Sequence, residues 1–514
     1  MTNRWNLSIL ENVMTIRCKA SGVHAWLVGA DIGCLAAAVH LIQDAKYSIR
    51  TTESATEERR GQFFPGRILS RYYVCTNDLL SRIPSLSDSM RSIQDELVEL
   101  ENDKGLSKDY HTRVVVNQNH AIDVLNVKPL GLNLSDRARI KMMMLASKRT
   151  LMKTRIMDIF NEDFFHGKFW SMCATKHLRY IHNFADLHTL SPIDCTPYEL
   201  FNNIIVPITS YLQTQGVEFK HNVKVLDVVM DSECDPTLAS GLKVQLSGAE
   251  TVITIRPKDI LVVTLGSIFA GSTLGTNRSP PSPAPEVGRL TLDDSWDLWF
   301  KLSRKYPKFG DPSTFCTRIA ELTIECFLVT LNDWDFFERF ASPVHTPSNT
   351  ETLVSFKDSN WRLSLNVPRQ PHLAGQPENT QLIWGYALSP SREGNFIRKP
   401  MSSCTGQEAL MEVLQQLHFP LEPALEHSVT VTSLMPLATA QYLTRDEDDR
   451  PKVIPDNVQN MALIGQFVEI PDDTVFSMEY SIRGAQTAVY HLMGLERQPE
   501  AHKHYWDSFW TILV

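Results

Sequence analysis

The run from Ala25 to Ala38, Ala-Trp-Leu-Val-Gly-Ala-Asp-Ile-Gly-Cys-Leu-Ala-Ala-Ala, limits what this chain can fold into more than any other stretch. A short apolar strand, a glycine turn and an alanine-rich helix lead through His40-Leu41-Ile42 to a second β-prone run, Ser48 to Glu53. That is the pattern of the first βαβ half of a dinucleotide-binding fold. Gly29 lets the chain turn off the strand, and the alanines let helix and sheet pack closely. A diphosphate would sit at the helix N-terminus, and Glu53 is spaced to take a ribose hydroxyl. The middle position of G-x-G-x-x-G, which should be bare so that backbone can reach a phosphate, is Asp31, and the third is Cys34. The stretch alone therefore leaves two readings open, a nucleotide site and a plain apolar-Gly-apolar turn.

With 514 residues, 43% of them hydrophobic, the chain is long enough for two or three domains with ample core. A net charge of −9 with interspersed signs excludes a nucleic-acid face. The 9 cysteines show no CxxC pair and no metal-ligand spacing, so no metal is expected and the thiols read as buried residues in a reducing compartment. The N-terminus lacks a basic segment leading into an apolar run, and no window of membrane-spanning length is free of charge. The expected location is the cytoplasm.

Along the chain, residues 87–101 read as a charged amphipathic helix, 113–125 as a strand, and Ser135 as the N-cap of one long helix through Met142-Met143-Met144 to Phe160. Short strands follow at 217–219 and 223–229. The run Asp259 to Ser267 then reads as a buried strand ending in small residues at Leu265-Gly266-Ser267. Strands at 353–356, 361–367 and 381–387 precede a helix at 407–418, a last buried strand over Met461–Phe467 and a helix over Met478–Leu492. The N-terminus of that helix suits the negative end of a cofactor ring.

These segments resemble the oleate hydratase family, FAD-containing fatty-acid hydratases also called myosin-cross-reactive antigens. The resemblance runs from about Ala25 to Leu495. It is carried by Ala25–Ala38, Ile83-Pro84-Ser85-Leu86, Asp358-Ser359-Asn360-Trp361, Trp384-Gly385-Tyr386, Lys399-Pro400-Met401, Asp449-Arg450-Pro451, Gly465-Gln466-Phe467-Val468-Glu469 and Val475 to Arg483. It implies an α/β fold with a discontinuous Rossmann-like FAD-binding domain (20–75, 201–275 and 456–495). A mostly helical lid region (76–200) and a mixed α+β substrate domain (276–455) are inserted in it, and an aromatic tail (496–514) follows. FAD would be structural rather than a redox partner, in a hydro-lyase that adds water to a cis double bond of an unsaturated fatty acid. The implied flavin contacts are Gly29, Ala30, Glu53, Arg67, Leu265, Gly266, Ser267, Gly465, Ser477 and Ser481. Thr439 and Gln441 would cradle the substrate carboxylate. For Ser477 and Ser481 a helix cap and an ordinary first-turn serine are the plain alternatives, and for Thr439 and Gln441 a polar turn.

The chain departs from that family where the chemistry would lie. The position of the family's catalytic glutamate is Ile68, in Phe64-Pro65-Gly66-Arg67-Ile68. The double-glycine loop after the ribose-binding acid is missing, and so is the segment between Thr175 and Lys176 that carries the family's tyrosine. Exon loss and evolutionary loss would leave the same pattern. Weak binding of FAD is expected, because Asp31 repels a diphosphate. Three readings remain: a hydratase whose acid and base are reassigned among Tyr72, Tyr73, His166, His177 and Tyr180, each of which also reads as structural; a non-catalytic lipid-binding relative; and a related pocket acting on another unsaturated lipid or a polyketide or terpenoid. The tail Tyr505 to Val514 fits a membrane surface, the protein's own groove or a homodimer contact.

Overall fold

The computed structural model describes residues 12–17, 23–29, 31–45, 73–102, 111–118, 121–124, 134–159, 201–221, 223–283, 291–332, 335–346, 350–372, 376–471, 473 and 478–501. In chain order the strands are β1 (Asn12–Arg17), β2 (His24–Val28), β3 (His111–Gln118), β4 (Ala121–Val124), β5 (Glu218–His221), β6 (Val223–Met230), β7 (Ala239–Leu246) and β8 (Ala249–Thr254). They continue with β9 (Ile260–Thr264), β10 (Thr273–Leu274), β11 (Ile324–Leu331), β12 (Thr352–Phe356), β13 (Leu363–Val367), β14 (Gln381–Ala387), β15 (Ser428–Met435) and β16 (Met461–Ile464).

The first sheet has the order β16-β9-β2-β1-β5. Its centre is parallel, β2 with β9 and β9 with β16, although these strands lie far apart in sequence. All five residues of β9 and all four of β16 are buried, the unbroken apolar reading of a strand covered on both faces. Helix α1 (Ile32–Gln43) covers one face, with Ala36, Ala37 and Ala38 fully buried. Those small side chains let the final helix (Met478–Leu492) lie against α1. The discontinuous Rossmann-like centre is therefore present.

Its outer edge holds a strand that the sequence reading does not name. β2 has two neighbours, β9 on one side and β1 on the other, with β1 running antiparallel to both β2 and β5. The place beside β2, on the side away from β9, is thus held by Asn12–Arg17, and the expected second strand Ser48–Glu53 lies outside the described residues. A strand preceding the glycine turn pairs antiparallel by a short connection, which closes more easily than a crossover. Residues 46–72 lie outside the described residues.

The second large sheet, β10-β15-β11-β14-β13-β12-β3-β4, is antiparallel except for the β12–β3 pair. Its edge is formed by β3 and β4, where the sequence reading puts one strand over 113–125. Helix Gly406–Gln416 packs on it, opened by a capping box between Thr405 and Glu408. A three-stranded meander, β6-β7-β8, completes the strands. The long helix expected from Ser135 to Phe160 is broken into Leu134–Leu145, Lys148–Lys153 and Ile156–Ile159. Ser147 starts the second piece by accepting the Thr150 amide, so a local cap outcompetes continuation. Met143 is buried while Met142 is 70% exposed, so the methionine run is only partly core.

Candidate functional site

The carboxyl ends of the parallel strands β2, β9 and β16 meet at one place, where open α/β sheets bind ligands. Gly29 follows β2 with φ +130°, and a methyl group there would come within 2.8 Å of the Thr264 hydroxyl oxygen. Gly465 follows β16 with φ +102°, and its methyl would lie 3.1 Å from the Thr264 methyl carbon. At Gly266 an added carbon would strike the Phe467 ring at 2.8 Å. Thr264, at the tip of β9, is the side chain between the first two glycines. The third packs on a ring that itself meets Trp296 edge-on at 4.9 Å. Leu265 donates its amide to the Ile464 carbonyl, and the Ser267 carbonyl accepts from the Trp296 indole at 2.9 Å.

The helix N-terminus at this point is already occupied by a carboxylate. Asp31 Oδ1 accepts the Cys34 amide at 3.0 Å and the Thr264 hydroxyl at 2.9 Å. The Cys34 thiol lies 3.2 Å from that hydroxyl and 3.5 Å from the Val28 carbonyl. Burial raises the Asp31 pKa from the ordinary carboxylate value, against the pull of these donors, and burial with the nearby Asp31 charge drives the Cys34 thiol well above its own. Asp31 thus fills the place of the phosphate-facing glycine both sterically and electrically.

A second buried carboxylate joins the cleft to α2 (Val74–Ser81). Glu479, in the first turn of the final helix, accepts the amides of Cys75 and Thr76 at 3.0 and 2.8 Å, and the Thr76 hydroxyl at 2.8 Å. These are orphan amides of α2, whose N-cap residue Tyr73 offers no capping side chain. Arg483 pairs with Glu479 at 2.7 Å and with Asp473 at 2.8 Å. Tyr73, 7% exposed, precedes the helix start that Glu479 anchors.

The third polar feature is the turn Thr439–Tyr442. Both Thr439 and Gln441 are 6% exposed. The Thr439 hydroxyl is committed to the Leu322 carbonyl at 3.3 Å, whereas Gln441 Oε1 has no partner among the described residues and the side chain lies against the Tyr442 hydroxyl. Arg450 links this turn to the cleft, donating to the Gln441 and Val468 carbonyls while its guanidinium sits 5.6 Å over Phe315, whose ring meets Phe467. The segment after β16 is therefore a wall shared by cleft and turn.

A family model described as the MCRA family matches residues 22–490. The chain belongs to the MCRA family. Among relatives, an oleate hydratase of Streptococcus pyogenes serotype M49 (strain NZ131) is 30% identical, over 92% of this chain and 85% of its own. A linoleate hydratase of Lactiplantibacillus plantarum is 27% identical, over 92% of this chain and 94% of its own. Solved structures give lower similarity. An oxidoreductase from Methanosarcina mazei has 11% identity and a TM-score of 0.44 over 89% of this chain and 98% of its own. A flavoprotein/dehydrogenase from Cytophaga hutchinsonii has 12% and 0.35 over 95% and 81%.

Of the residues expected from the MCRA resemblance, Gly29, Leu265, Gly266, Ser267 and Gly465 are gathered at the strand ends. Ser481 is buried, its carbonyl 3.4 Å from where a Gly33 methyl would be. Ala30, Glu53, Arg67, Ile68, Tyr72, His166, His177, Tyr180, Ser477 and the tail 505–514 lie outside the described residues. Sequence reasoning missed Thr264, Glu479, Arg483 and Arg450. The Glu479–Arg483 spacing of four on a helix was a readable signal. Thr264 gave none, because its role depends on where β2 and β16 end beside it. Among the described residues no cluster could hold a metal ion, and no helix is long and apolar enough to cross a membrane.

Proposed function

We propose that this chain is a fatty-acid hydratase, a hydro-lyase that adds water across a cis double bond of an unsaturated fatty acid. The observation that carries this reading is the alignment of two named hydratases over 92% of the chain. In the reaction the π bond breaks, one carbon takes a proton from an acid, and the other takes the oxygen of a water whose second proton passes to a base. No electrons are gained or lost overall. Of the polar candidates Tyr72, Tyr73, His177 and Tyr180, we assign the proton donor to Tyr73, which is buried at the start of the helix that Glu479 anchors. The fatty carboxyl group lies against Gln441 rather than Thr439, whose hydroxyl is already engaged.

A flavin dinucleotide, FAD, would lie along the backbone at Gly29, Leu265, Gly266, Ser267, Gly465 and Ser481, the strand ends where Gly29, Gly266 and Gly465 take positive φ. It fails to fit one side chain, Asp31, in its charged form. When bound, such a flavin serves as a wall of the site and supplies no electrons to hydration. This chain's own residues bind the acyl chain and move the protons.

A second reading, a lipid-binding relative without activity, is favoured by Ile68 at the family's base position. One experiment separates the two. The full-length protein is incubated with oleate and with linoleate, with and without FAD, in 18O-water. Mass spectrometry is expected to show a hydroxy acid carrying the label. Unlabelled, unchanged substrate together with displacement of a fluorescent fatty acid would establish the binding protein instead.

A further inference from the structure

The cleft that would receive a dinucleotide is closed by a hydrogen-bonded set made wholly from this chain: Asp31 on the Cys34 amide and the Thr264 hydroxyl, with the Cys34 thiol beside that hydroxyl. Thr264 is also the side chain that Gly29 and Gly465 approach, so this set stands where the three strand ends meet. An anion arriving at the N-terminus of α1 meets a carboxylate in place of free amides. In a half-buried site of low polarizability the repulsion between that carboxylate and a diphosphate is several times its value in water.

We propose that Asp31 makes binding of the dinucleotide proton-linked, so that the cleft accepts a diphosphate when Asp31 is neutral and rejects it when Asp31 is ionised. This inference rests on the flavin part of the proposed function and concerns its regulation. Neutral Asp31 turns from competitor to donor, because a carboxylic acid offers an O–H to a phosphate oxygen while Thr264 can turn its own hydroxyl outward. Burial acts in the required direction, favouring the neutral acid.

Among the described residues no other group is placed to do this. From α1 the titratable neighbour is the Cys34 thiol, which burial and the Asp31 charge hold protonated. β9 contributes Thr264, β16 contributes Ile464, and the final helix contributes the Ser481 carbonyl, all uncharged. The charged groups at the start of the final helix, Glu479 and Arg483, are engaged with one another, with α2 and with Asp473. Asp31 has no cation partner among the described residues.

The test is a titration of the full-length protein with FAD, followed by quenching of flavin fluorescence, at intervals between pH 5 and pH 8.5. Riboflavin, which lacks the diphosphate, is the parallel probe. Circular dichroism confirms the fold at each pH. The wild type is expected to lose affinity for FAD by up to tenfold per pH unit as pH rises, the limit for one linked proton, and to bind riboflavin without that slope. Asp31→Asn, which keeps an N-cap acceptor, and Asp31→Gly are both expected to bind FAD with a flat profile and at least tenfold more tightly than wild type at pH 8. A flat wild-type profile, or equal affinity of wild type and Asp31→Asn at pH 8, overturns this inference and leaves the flavin reading standing. Failure of all three forms to bind FAD at any pH overturns both.

Discussion

Two buried carboxylates, one in each half of the molecule, show what burial alone does not decide. Glu479, beside the parallel sheet, is 2% exposed and receives two backbone amides, a hydroxyl and an arginine. Glu325, on β11 of the eight-stranded sheet, is fully buried, and neither oxygen has a hydrogen-bond partner at good geometry. Burial pushes its pKa up to about 8, opposed only by the nearby Thr432 hydroxyl. The first carboxylate ties a helix start and the final helix together through its donors. The second sits on β11 of the eight-stranded sheet, where burial favours the neutral acid. Donors around a buried carboxylate, not burial by itself, separate the two cases.

The largest effect that would test this contrast is removal of the satisfied carboxylate. Glu479→Ala leaves Arg483 with Asp473 and the Glu500 carbonyl, strips two amides of α2, and is expected to cost about 3–5 kcal/mol in urea unfolding. A loss below ~1 kcal/mol would show that water replaces the carboxylate and that the network holds little. Glu325→Gln, by contrast, is expected to be near neutral at pH 6.

The next effect is the pH dependence that Glu325 imposes. Its folded pKa, about 8, lies above the ordinary glutamate value of 4.5, so its stabilising contribution is complete below the lower value and is lost as pH rises through the upper one. Between them the unfolded chain has released the proton and the folded chain has not. Stability should therefore fall with rising pH by up to ~1.4 kcal/mol per unit, and the Glu325→Gln variant should lack that slope. Unfolding curves at pH 5, 6, 7 and 8 for both proteins measure it. Parallel slopes for the two proteins would show that Glu325 ionises within the folded state at ordinary pH.

The smallest effect lies in the cleft. Thr264→Val removes one donor from Asp31 at nearly constant volume and is expected to cost about 1 kcal/mol. With one donor fewer, the neutral acid gains further, so the pH at which FAD affinity begins to fall should move upward. A downward move would mean that Thr264 does not stabilise the carboxylate and that the contacts at the strand tips are packing only.

Much of this architecture could be read before any coordinates. The apolar runs of β9 and β16 named themselves as covered strands, and the final helix over Met478–Leu492 has the expected bounds. The strands at 381–387 and the helix near 407–418 also lie where alternation and 3.6-residue periodicity put them. The long helix after Ser135 failed because Ser147 offered a competing cap, a choice between two local hydrogen bonds that periodicity cannot weigh. The strand Asn12–Arg17 beside β2 is not singled out, because strand propensity marks a segment as strand without naming its partner.

The sequence by itself determined the glycine turn, the alanine face, the family and the loss of a carboxylate at Ile68, because each of these is a property of residue type in a local order. Only the tertiary structure decided that Asp31, Cys34 and Thr264 form one hydrogen-bonded set, that Glu479 caps a helix roughly four hundred residues away, and that Glu325 is buried with only the Thr432 hydroxyl opposing the loss of its charge. The reason is that a carboxylate's charge state is set by the few ångströms around it, and in a sheet those neighbours come from strands that the chain order keeps far apart.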